Sequence, residues 1–560
     1  MDGFTNIASR NELADFLRIP RKKLTHILYI EEVNNLYTSF DIPKKSGEKR
    51  HINAPTDDLK SVQKRLAYAL WEHQKNVWEE KDVNPNISHG FEKNKSIITN
   101  SRIHRNKRLV LNIDLENFFD SFHFGRIRGF FDKNIDFKVP IEVATVIAQL
   151  SCYKGCLPQG APSSPILTNL IGNILDIRLL KLAKQYKLDY TRYADDLTFS
   201  TNNRDFLANY PTFIKELSIE IESSGFRINH QKTRLQYRDS KQVVTGLIVN
   251  QKINVDKCYY KVTRAMAHSL YSKGGLTING KEGTINQLEG RFSFIDQIER
   301  YNNTIDEDSH DFRNLNGREE QYRKFLFFKY FFSNSKPLIA TEGKTDVAYL
   351  KAALKNLFAL YPDLISKTES DDFEFKVSFL RRTKRLRYFF GLSLDGADTL
   401  KNVYNFYTGK EGLPNYLKYF NVMSSDKPKN PVILLFDNEL ANKNKPLYKL
   451  VNNNGLNETQ KKDLSDKLNV KISENLFLLT HPLAEGKDEC EIENLFDIET
   501  LSHVIEGKTL SLDSKFDNNL YYGKEIFSKY ISSNYKDIDF SGFRQLLDKL
   551  NEIITTFNST

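Results

Sequence analysis

Apolar residues recur at helical spacing in three separate places before residue 300: Leu59, Val62, Leu66 and Leu70; Leu167, Leu170, Ile174 and Ile177; and Leu288, Phe292, Ile295 and Ile298. Steps of three and four residues put each set on one face, so three amphipathic helices with buried stripes are expected. Between them lie short apolar runs with β character: RLVLNIDL at 108–115, LTFS at 197–200 and VVTGLIVN at 243–250. Helices interleaved with strands predict a mixed α/β domain.

After residue 300 the pattern changes. The segment between Tyr301 and Arg318 is polar and rich in Asn, Asp and Gly; an aromatic, helix-like QYRKFLFFKYFF and then SNSKP follow it. Beyond them PLIATEGKTDVAYLKAALKNLF reads as a strand, a turn at Glu342-Gly343-Lys344, and a helix with Thr345 as N-cap and Val347, Leu350, Leu354 and Leu357 on its apolar face. About ninety residues later PVILLFDNEL is a continuous apolar strand, the kind buried on both faces of a parallel sheet. Two domains follow, 1–332 and 333–560.

A chain of 560 residues is too long for one compact core, and its 40% hydrophobic content excludes a largely disordered polymer. Before Lys336 there are 50 basic and 40 acidic residues, and from Lys336 onward 31 and 32. A basic excess confined to one part is the electrostatic footprint of a polyanion binder. Cysteines at 152, 156, 258 and 490 form neither a disulfide framework nor a paired zinc pattern, and the acidic opening MDGFTNIASRNELADFL has no apolar core of a leader. The longest apolar runs fall far short of a membrane span. A reducing cytoplasm without membrane insertion is the expected setting.

Asp114 ends the run at 108–115, and Asp195-Asp196 stand between Tyr193 and the run at 197–200. One acid at a strand end is an ordinary turn former or cap. Two adjacent aspartates repel one another unless a cation lies between them, and hard oxygen ligands from neighbouring strands suit Mg²⁺.

These residues carry a family resemblance. Tyr193-Ala194-Asp195-Asp196 resembles the motif of reverse transcriptases, Asp114 resembles their first catalytic aspartate, and LPQGAPSSP at 157–165 resembles their template- and nucleotide-positioning loop. Val244-Thr245-Gly246 is similar to the VTG element of retron reverse transcriptases, and Asn100-Ser101-Arg102-Ile103-His104 resembles their NAxxH element with Ser in place of Ala. The resemblance implies a right-hand fold of fingers, palm and thumb over 1–332. It also implies two Mg²⁺ about 3.5–4 Å apart, held by Asp114 and Asp195 with Asp196 supporting and the Leu115 carbonyl completing a shell. Phe119 would exclude ribonucleotides at the sugar 2′ position. Gln159, Gly160 and Tyr193 would position nucleotide and template, and Lys232 would face phosphate. Asn100 and His104 would contact RNA. Downstream, CYYKVTRAMAHSLYSKGG interleaves aromatics with Lys257, Lys261, Arg264 and Lys273 and suits a thumb helix packed on a template–primer duplex.

The second domain has its own acids. Strand, acid, helix, then strand and acids puts Glu342, Asp437 and Glu439 at the carboxyl edge of one parallel sheet. Glu342, Gly343 and Asp346 resemble the first mark of Toprim domains, whereas Asp437-Asn438-Glu439 departs from their DxD by ending in Glu. Glu493 looks like the further acid of nuclease-type members, with Glu491 its competitor. The resemblance implies a mostly parallel α/β sheet with Mg²⁺ or Mn²⁺ on Glu342, Asp346, Asp437, Glu439 and Glu493. A nuclease using metal-activated water demands the fewest parts. The basic run RRTKRLRYFF at 381–390 is a candidate to hold substrate backbone.

A retron polymerase followed by a Toprim domain is similar to retron reverse transcriptases of the Ec67 type. That likeness implies reverse transcription of a structured non-coding RNA (msr–msd) with dNTPs, priming from an internal guanosine 2′-OH, branched msDNA, and a role in antiphage defence with a toxic Toprim effector acting on tRNA, other RNA or DNA. It leaves room for a homo-oligomer assembled with msDNA. Two competing readings are a mobile-element reverse transcriptase whose Toprim part processes DNA ends, and a non-catalytic RNA-binding scaffold; a dead site has no need of clustered charge.

Overall fold

The run 109–115 is apolar at every position but two, and it forms the middle of an antiparallel sheet. A computed structural model describes residues 3–44, 47–83, 85–305, 310–393, 400–453, 455–513 and 515–559. Residues 306–309 of the expected polar border lie outside them. The chain divides into two compact units, Met1–Asp256 and Lys257–Thr560.

In the first unit β1 (Tyr37–Pro43) and β2 (Lys49–Pro55) pair as an antiparallel hairpin, α1 (Asp57–Glu80) follows, and the short α2 (Ile97–Ile103) leads to β3 (Leu109–Leu115). A long helix, α3 (Ser164–Gln185), precedes the hairpin of β4 (Asp189–Tyr193) and β5 (Asp196–Thr201), and β6 (Ile228–Tyr237) completes the sheet in the order β4-β5-β3-β6. Leu59, Val62, Leu66 and Leu70 of α1 are buried as expected. In α3 the buried stripe is Leu167, Leu170, Ile171, Leu175, Leu179 and Leu182, so Ile174 and Ile177 are corrections: both are exposed. The stripe continues through Ile171 and Leu175, which turns Ile174 and Ile177 off the core face. The expected strand at 243–250 is a tight hairpin instead, Val243–Val244 against Leu247–Ile248, because Thr245 and Gly246 take positive φ of 45° and 84°.

The second unit begins with α4 (Lys257–Lys273), α5 (Ile285–Ile305) and α6 (Gly317–Phe327). Then β7 (Leu338–Thr341), α7 (Lys344–Asn356), β8 (Ser378–Phe379), α8 (Lys384–Phe390), β9 (Val432–Phe436), β10 (Asn469–Lys471) and β11 (Leu476–Thr480) build a five-stranded sheet in the order β8-β7-β9-β11-β10, parallel except at β10. α9 (Lys524–Ser533) and α10 (Arg544–Asn558) close the chain. Alternation along the strands feeds two cores. Leu338, Ala340, Val432, Leu434, Leu476 and Leu478 face one, and Ile339, Ile433, Leu435, Phe477 and Leu479 face the other.

The first of these cores explains where the packing boundary falls. Ala267, Leu270 and Tyr271 of α4, Leu288 and Phe292 of α5, and the Phe325–Phe332 cluster are buried together with the sheet residues. The packing border therefore lies at 256/257, ahead of the composition border at 332/333. One further expectation is corrected. Gly343, not Thr345, precedes the first turn of α7, and the Asp346 carboxylate accepts from the Gly343 amide at 2.8 Å. The basic run at 381–390 folds largely as α8 with Leu386, Phe389 and Phe390 in the core, while Arg385 pairs with Glu289 at 2.7 Å. Arg381, Lys384 and Arg387 of the run are exposed.

Candidate functional site

Asp114 and Asp196 stand directly opposite each other where β3 pairs with β5, so both side chains leave the same face of the sheet. Tyr193 pairs with Asp196, which makes Ala194-Asp195 a two-residue hairpin loop with Ala194 at φ +55°. The Leu115 amide donates to the Asp195 carbonyl at 3.0 Å, tying that turn to the end of β3. Three carboxylates thus meet at one sheet end. Burial raises Asp195, and burial together with Asp195 and Asp114 pushes Asp196 up to about 7. Lys232 on β6 reaches Asp114 at 3.0 Å, and the Asn229 amide donates to the same oxygen at 3.0 Å. Lys232, expected to face phosphate, thus holds the first acid.

The hairpin is held from behind by residues that sequence reasoning did not single out. Arg192, 1% exposed, forks onto Asp176 of α3 at 2.8 and 2.7 Å and reaches the Ala194 carbonyl at 3.4 Å. Gly90 lies so close that a Cβ there would sit 2.5 Å from the Ala194 nitrogen. The segment 87–89 runs alongside β4, with His89 N donating to Arg192 O at 2.8 Å. Arg192 could have been suspected from its place two residues before the acid turn, but its partner is 16 residues upstream on another element. Arg192→Ala is expected to lower stability by about 3–5 kcal/mol, the cost of leaving a buried carboxylate uncompensated. Chemical denaturation checks this; a loss below about 1 kcal/mol would reduce the pair to a surface-like ion pair.

Asn100 and His104, expected to meet RNA, are corrections: both are fully buried. His104 bridges two strands, with Nδ1 on the Ser200 hydroxyl and Nε2 on the Thr191 hydroxyl, each at 2.7 Å. Burial pushes its imidazole down to about 3, so it stays neutral. Ser101 donates to the Val244 carbonyl at 3.0 Å. The two elements at 100–104 and 244–246 are therefore one structural joint beneath the acid hairpin, although they lie 143 residues apart at that bond.

The remaining expected residues surround the acids. Phe119 is half-buried with its ring 6.3 Å from Phe91, whereas Phe118 beside it is in the core. Gln159 accepts from the Asn53 amide at 2.8 Å through its carbonyl, and Gly160 at φ +123° lies so close that a Cβ there would sit 2.8 Å from the Asn53 carbonyl oxygen. The 157–165 loop is thereby docked on β2. Arg50 of the same strand lies close enough to Asp195 to lower its carboxyl, another residue without a sequence signal. Tyr193 and Lys232 line a cavity of about 430 Å³ with Asp114, Asp196 and Gly246.

The second acid set forms inside the second unit. Glu342 follows β7, Asp437 follows β9 and His481 follows β11, three neighbouring parallel strands ending at one edge. The Asp437 amide donates to Glu342 at 3.2 Å; Asp437 itself accepts from the Ile492 amide at 3.1 Å and lies 3.3 Å from His481 Nε2. Burial, with Asp437 and Glu439 nearby, holds Glu342 well above the carboxylate range, and burial and Asp437 push Asp346 up to about 7. Glu439 is paired with Lys445. Glu493 is buried and adds to the charge on Asp346, while Glu491, 36% exposed at its side chain, lies on the rim; Lys524 bridges the two at 3.1 and 2.9 Å. Asn438 is turned away, its amide on the His481 carbonyl at 2.8 Å. His481, Lys445 and Lys524 are additions to the expected set. The apolar run LFLLT before His481 was a legible signal of the same kind as VILLF.

Among the described residues, no three His, Cys, Asp or Glu side chains make a ready cage for a metal ion. Mg²⁺ needs only one or two carboxylates when waters and substrate phosphates fill its other positions, and each site brings several carboxylates together at one sheet end, buried and raised first by burial and then by one another. The donor sets fit divalent cations on that ground. Lys257, Lys261 and Arg264 are exposed along α4. No described helix is long and apolar enough to cross a membrane.

Comparison with known proteins bears on the first acid set. Residues 42–262 match the family described as reverse transcriptase (RNA-dependent DNA polymerase). Retron Ec86 reverse transcriptase of Escherichia coli is 34% identical over 288 residues, covering 51% of this chain and 83% of that protein. Retron Mx162 reverse transcriptase of Myxococcus xanthus is 33% identical over 325 residues, covering 52% of this chain and 64% of that protein. An apo telomerase from Candida tropicalis aligns with a TM-score of 0.32 at 14% identity, over 53% of this chain and 60% of that one, a likeness too slight to carry an argument.

Proposed function

Because the chain belongs to the retron reverse transcriptase family, we propose that residues 1–332 copy a structured retron RNA into DNA, and that residues 333–560 form a Toprim-type, metal-dependent nuclease serving as effector in antiphage defence. The carrying observation is the meeting of Asp114, Asp195 and Asp196 at one sheet end. Bound Mg²⁺ would supply charge neutralisation at the phosphates and acidify the attacking hydroxyl. The chain's part is to hold its carboxylates in place: Arg192 and Gly90 fix the turn, Leu115 joins it to β3, and Lys232 balances Asp114 until substrate arrives. Phe119, half-buried beside Phe91, stands for exclusion of a 2′-hydroxyl, and the loop with Gln159 and Gly160 for nucleotide placement.

For the second unit, support comes from acids following adjacent parallel strands, the usual ligand edge of open α/β sheets. Glu342, Asp346, Asp437, Glu439 and Glu493 are the proposed metal residues, and tRNA, other RNA or DNA the proposed target class. Glu493 is favoured over Glu491 because it is the one buried among the other acids. Priming from a guanosine 2′-OH, msDNA as a bound partner and restraint of the effector by the polymerase complete the proposal. Expression with the neighbouring RNA, followed by sequencing of copurified nucleic acid, tests it. A covalent RNA–DNA branch is the expected product; exclusively linear nucleic acid would reject retron-type synthesis.

A further inference from the structure

One buried histidine stands at the second acid set with no part assigned to it. Phe436 of β9 pairs with Thr480 of β11, so the residues that follow them, Asp437 and His481, leave neighbouring parallel strands side by side. His481 Nε2 lies 3.3 Å from Asp437 Oδ1, and its Nδ1 lies 3.1 Å from the Pro482 carbonyl oxygen. A carboxylate is the stronger acceptor of the two, so the tautomer that fits carries its proton on Nε2 and donates it to Asp437. At 1% exposure the imidazole reaches no substrate. Whatever it does for the site it does through Asp437.

Two donors meet on one oxygen of that carboxylate. The Ile492 amide also donates to Oδ1, at 3.1 Å, whereas Oδ2 accepts no hydrogen bond from any described residue. Asp437 is thus held through one oxygen and offers the other. The turn beneath it is held from the same side: the Asn438 side chain donates to the His481 carbonyl at 2.8 Å, Asn438 and Cys490 exchange amide bonds at 3.0 and 2.9 Å, and the Thr480 hydroxyl donates to the Phe436 carbonyl at 3.1 Å. All of these tethers run between 436–438 and the segment 480–492. A side chain already fixed in one rotamer loses no further freedom when it binds an ion.

We propose that His481 is a positioning residue of the second acid set, whose Nε2–H fastens Asp437 Oδ1 and leaves Oδ2 to bind a divalent cation together with Glu342 and Asp346. The inference rests on the metal reading of that set. It adds a residue that itself binds no metal and no substrate. Hydrogen bonds of this kind, made to a metal-binding side chain from behind, orient it and are worth about 10–100-fold in metal affinity. A buried histidine after an apolar strand is an ordinary core residue in most folds; here the distance to Oδ1 and the open Oδ2 give it a task.

The test titrates the full-length protein with Mg²⁺ and reads the half-saturating concentration from the rise in melting temperature. Glu342→Gln serves as reference, because the part of the rise that it removes belongs to the second acid set. His481→Phe keeps the ring and loses the donor, so half-saturation of that part should move to about 10–100-fold higher Mg²⁺. His481→Asn, whose amide matches the Nδ1 position, should show the same shift and replaces the phenylalanine variant should that one not fold. His481→Gln, whose amide nitrogen reaches the Nε2 position, should recover most of the affinity. A role in packing alone would lower the melting temperature equally with and without Mg²⁺ and leave half-saturation where it is; that result overturns the assignment. Equal losses in His481→Gln and His481→Asn overturn donation from Nε2 as its cause. A rise that Glu342→Gln leaves intact overturns the metal reading of the set and the role of His481 with it, whereas a Glu342-dependent rise indifferent to every His481 variant overturns the role of His481 alone.

Discussion

Asp195→Asn is expected to abolish DNA synthesis while leaving RNA association intact. The substitution preserves shape and removes one negative charge from a buried cluster in which Asp114 and Asp196 are its immediate neighbours. Loss of about 4 kcal/mol of charge stabilisation corresponds to a roughly 10³-fold fall in rate. The fold should tolerate the change, since the folded chain already disfavours a charged Asp195. Incorporation of labelled dNTPs on an RNA template, alongside filter binding of the same RNA, makes the measurement. Synthesis at the wild-type rate would remove the three aspartates from the proposed mechanism, and parallel loss of RNA binding would recast them as structural.

Glu342→Gln is expected to produce opposite changes in activity and stability. Nucleolysis, or toxicity in cells, should fall about 10²–10³-fold, with msDNA yield unaffected because the acids of the two units are separate sets. Stability should improve at neutral pH. In the folded chain Glu342 lies well above the carboxylate range and Asp346 at about 7, against ordinary values near 4 in the unfolded chain. Between about 4 and 7 the folded state holds protons that the unfolded state has released, so stability is fully present below the lower limit and declines as pH rises through the upper one. Asp196 adds to the same slope. The melting temperature of the metal-free protein should therefore drop from pH 5 to pH 8, Mg²⁺ should recover part of the loss by favouring the charged carboxylates, and Glu342→Gln should flatten the profile. A melting temperature indifferent to pH and to Mg²⁺ contradicts the crowded-acid picture.

Residues read from spacing alone fared according to how local their signal was. Leu59 to Leu70 and Leu288 to Ile298 are buried as the pattern indicated, because helical spacing is a property of the segment itself. Ile174 and Ile177 share that spacing but lie on the outside of α3, since the flanking elements choose which of two apolar stripes to cover. VVTGLIVN has strand composition, and two residues with positive φ turn it into a hairpin that packs under the first sheet. Acids at the ends of 108–115, 337–341 and 432–436 were visible because a charge near the end of a largely apolar run stands out.

What linear order determined by itself is the inventory: two sets of acids placed after buried strands, a polar stretch between two kinds of pattern, and an excess of basic over acidic residues in the first of them only. Tertiary structure decided which groups touch. It buried His104 and Asn100 instead of offering them to RNA, supplied Arg192 with Asp176, placed His481 beside Asp437, and joined the helices from Lys257 onward to the core of the following sheet. The physical reason is range. Periodicity, caps and turns are settled within a few residues, whereas desolvation and pairing depend on neighbours brought in from anywhere along the chain, at a free-energy scale of a few kcal/mol that no short segment encodes.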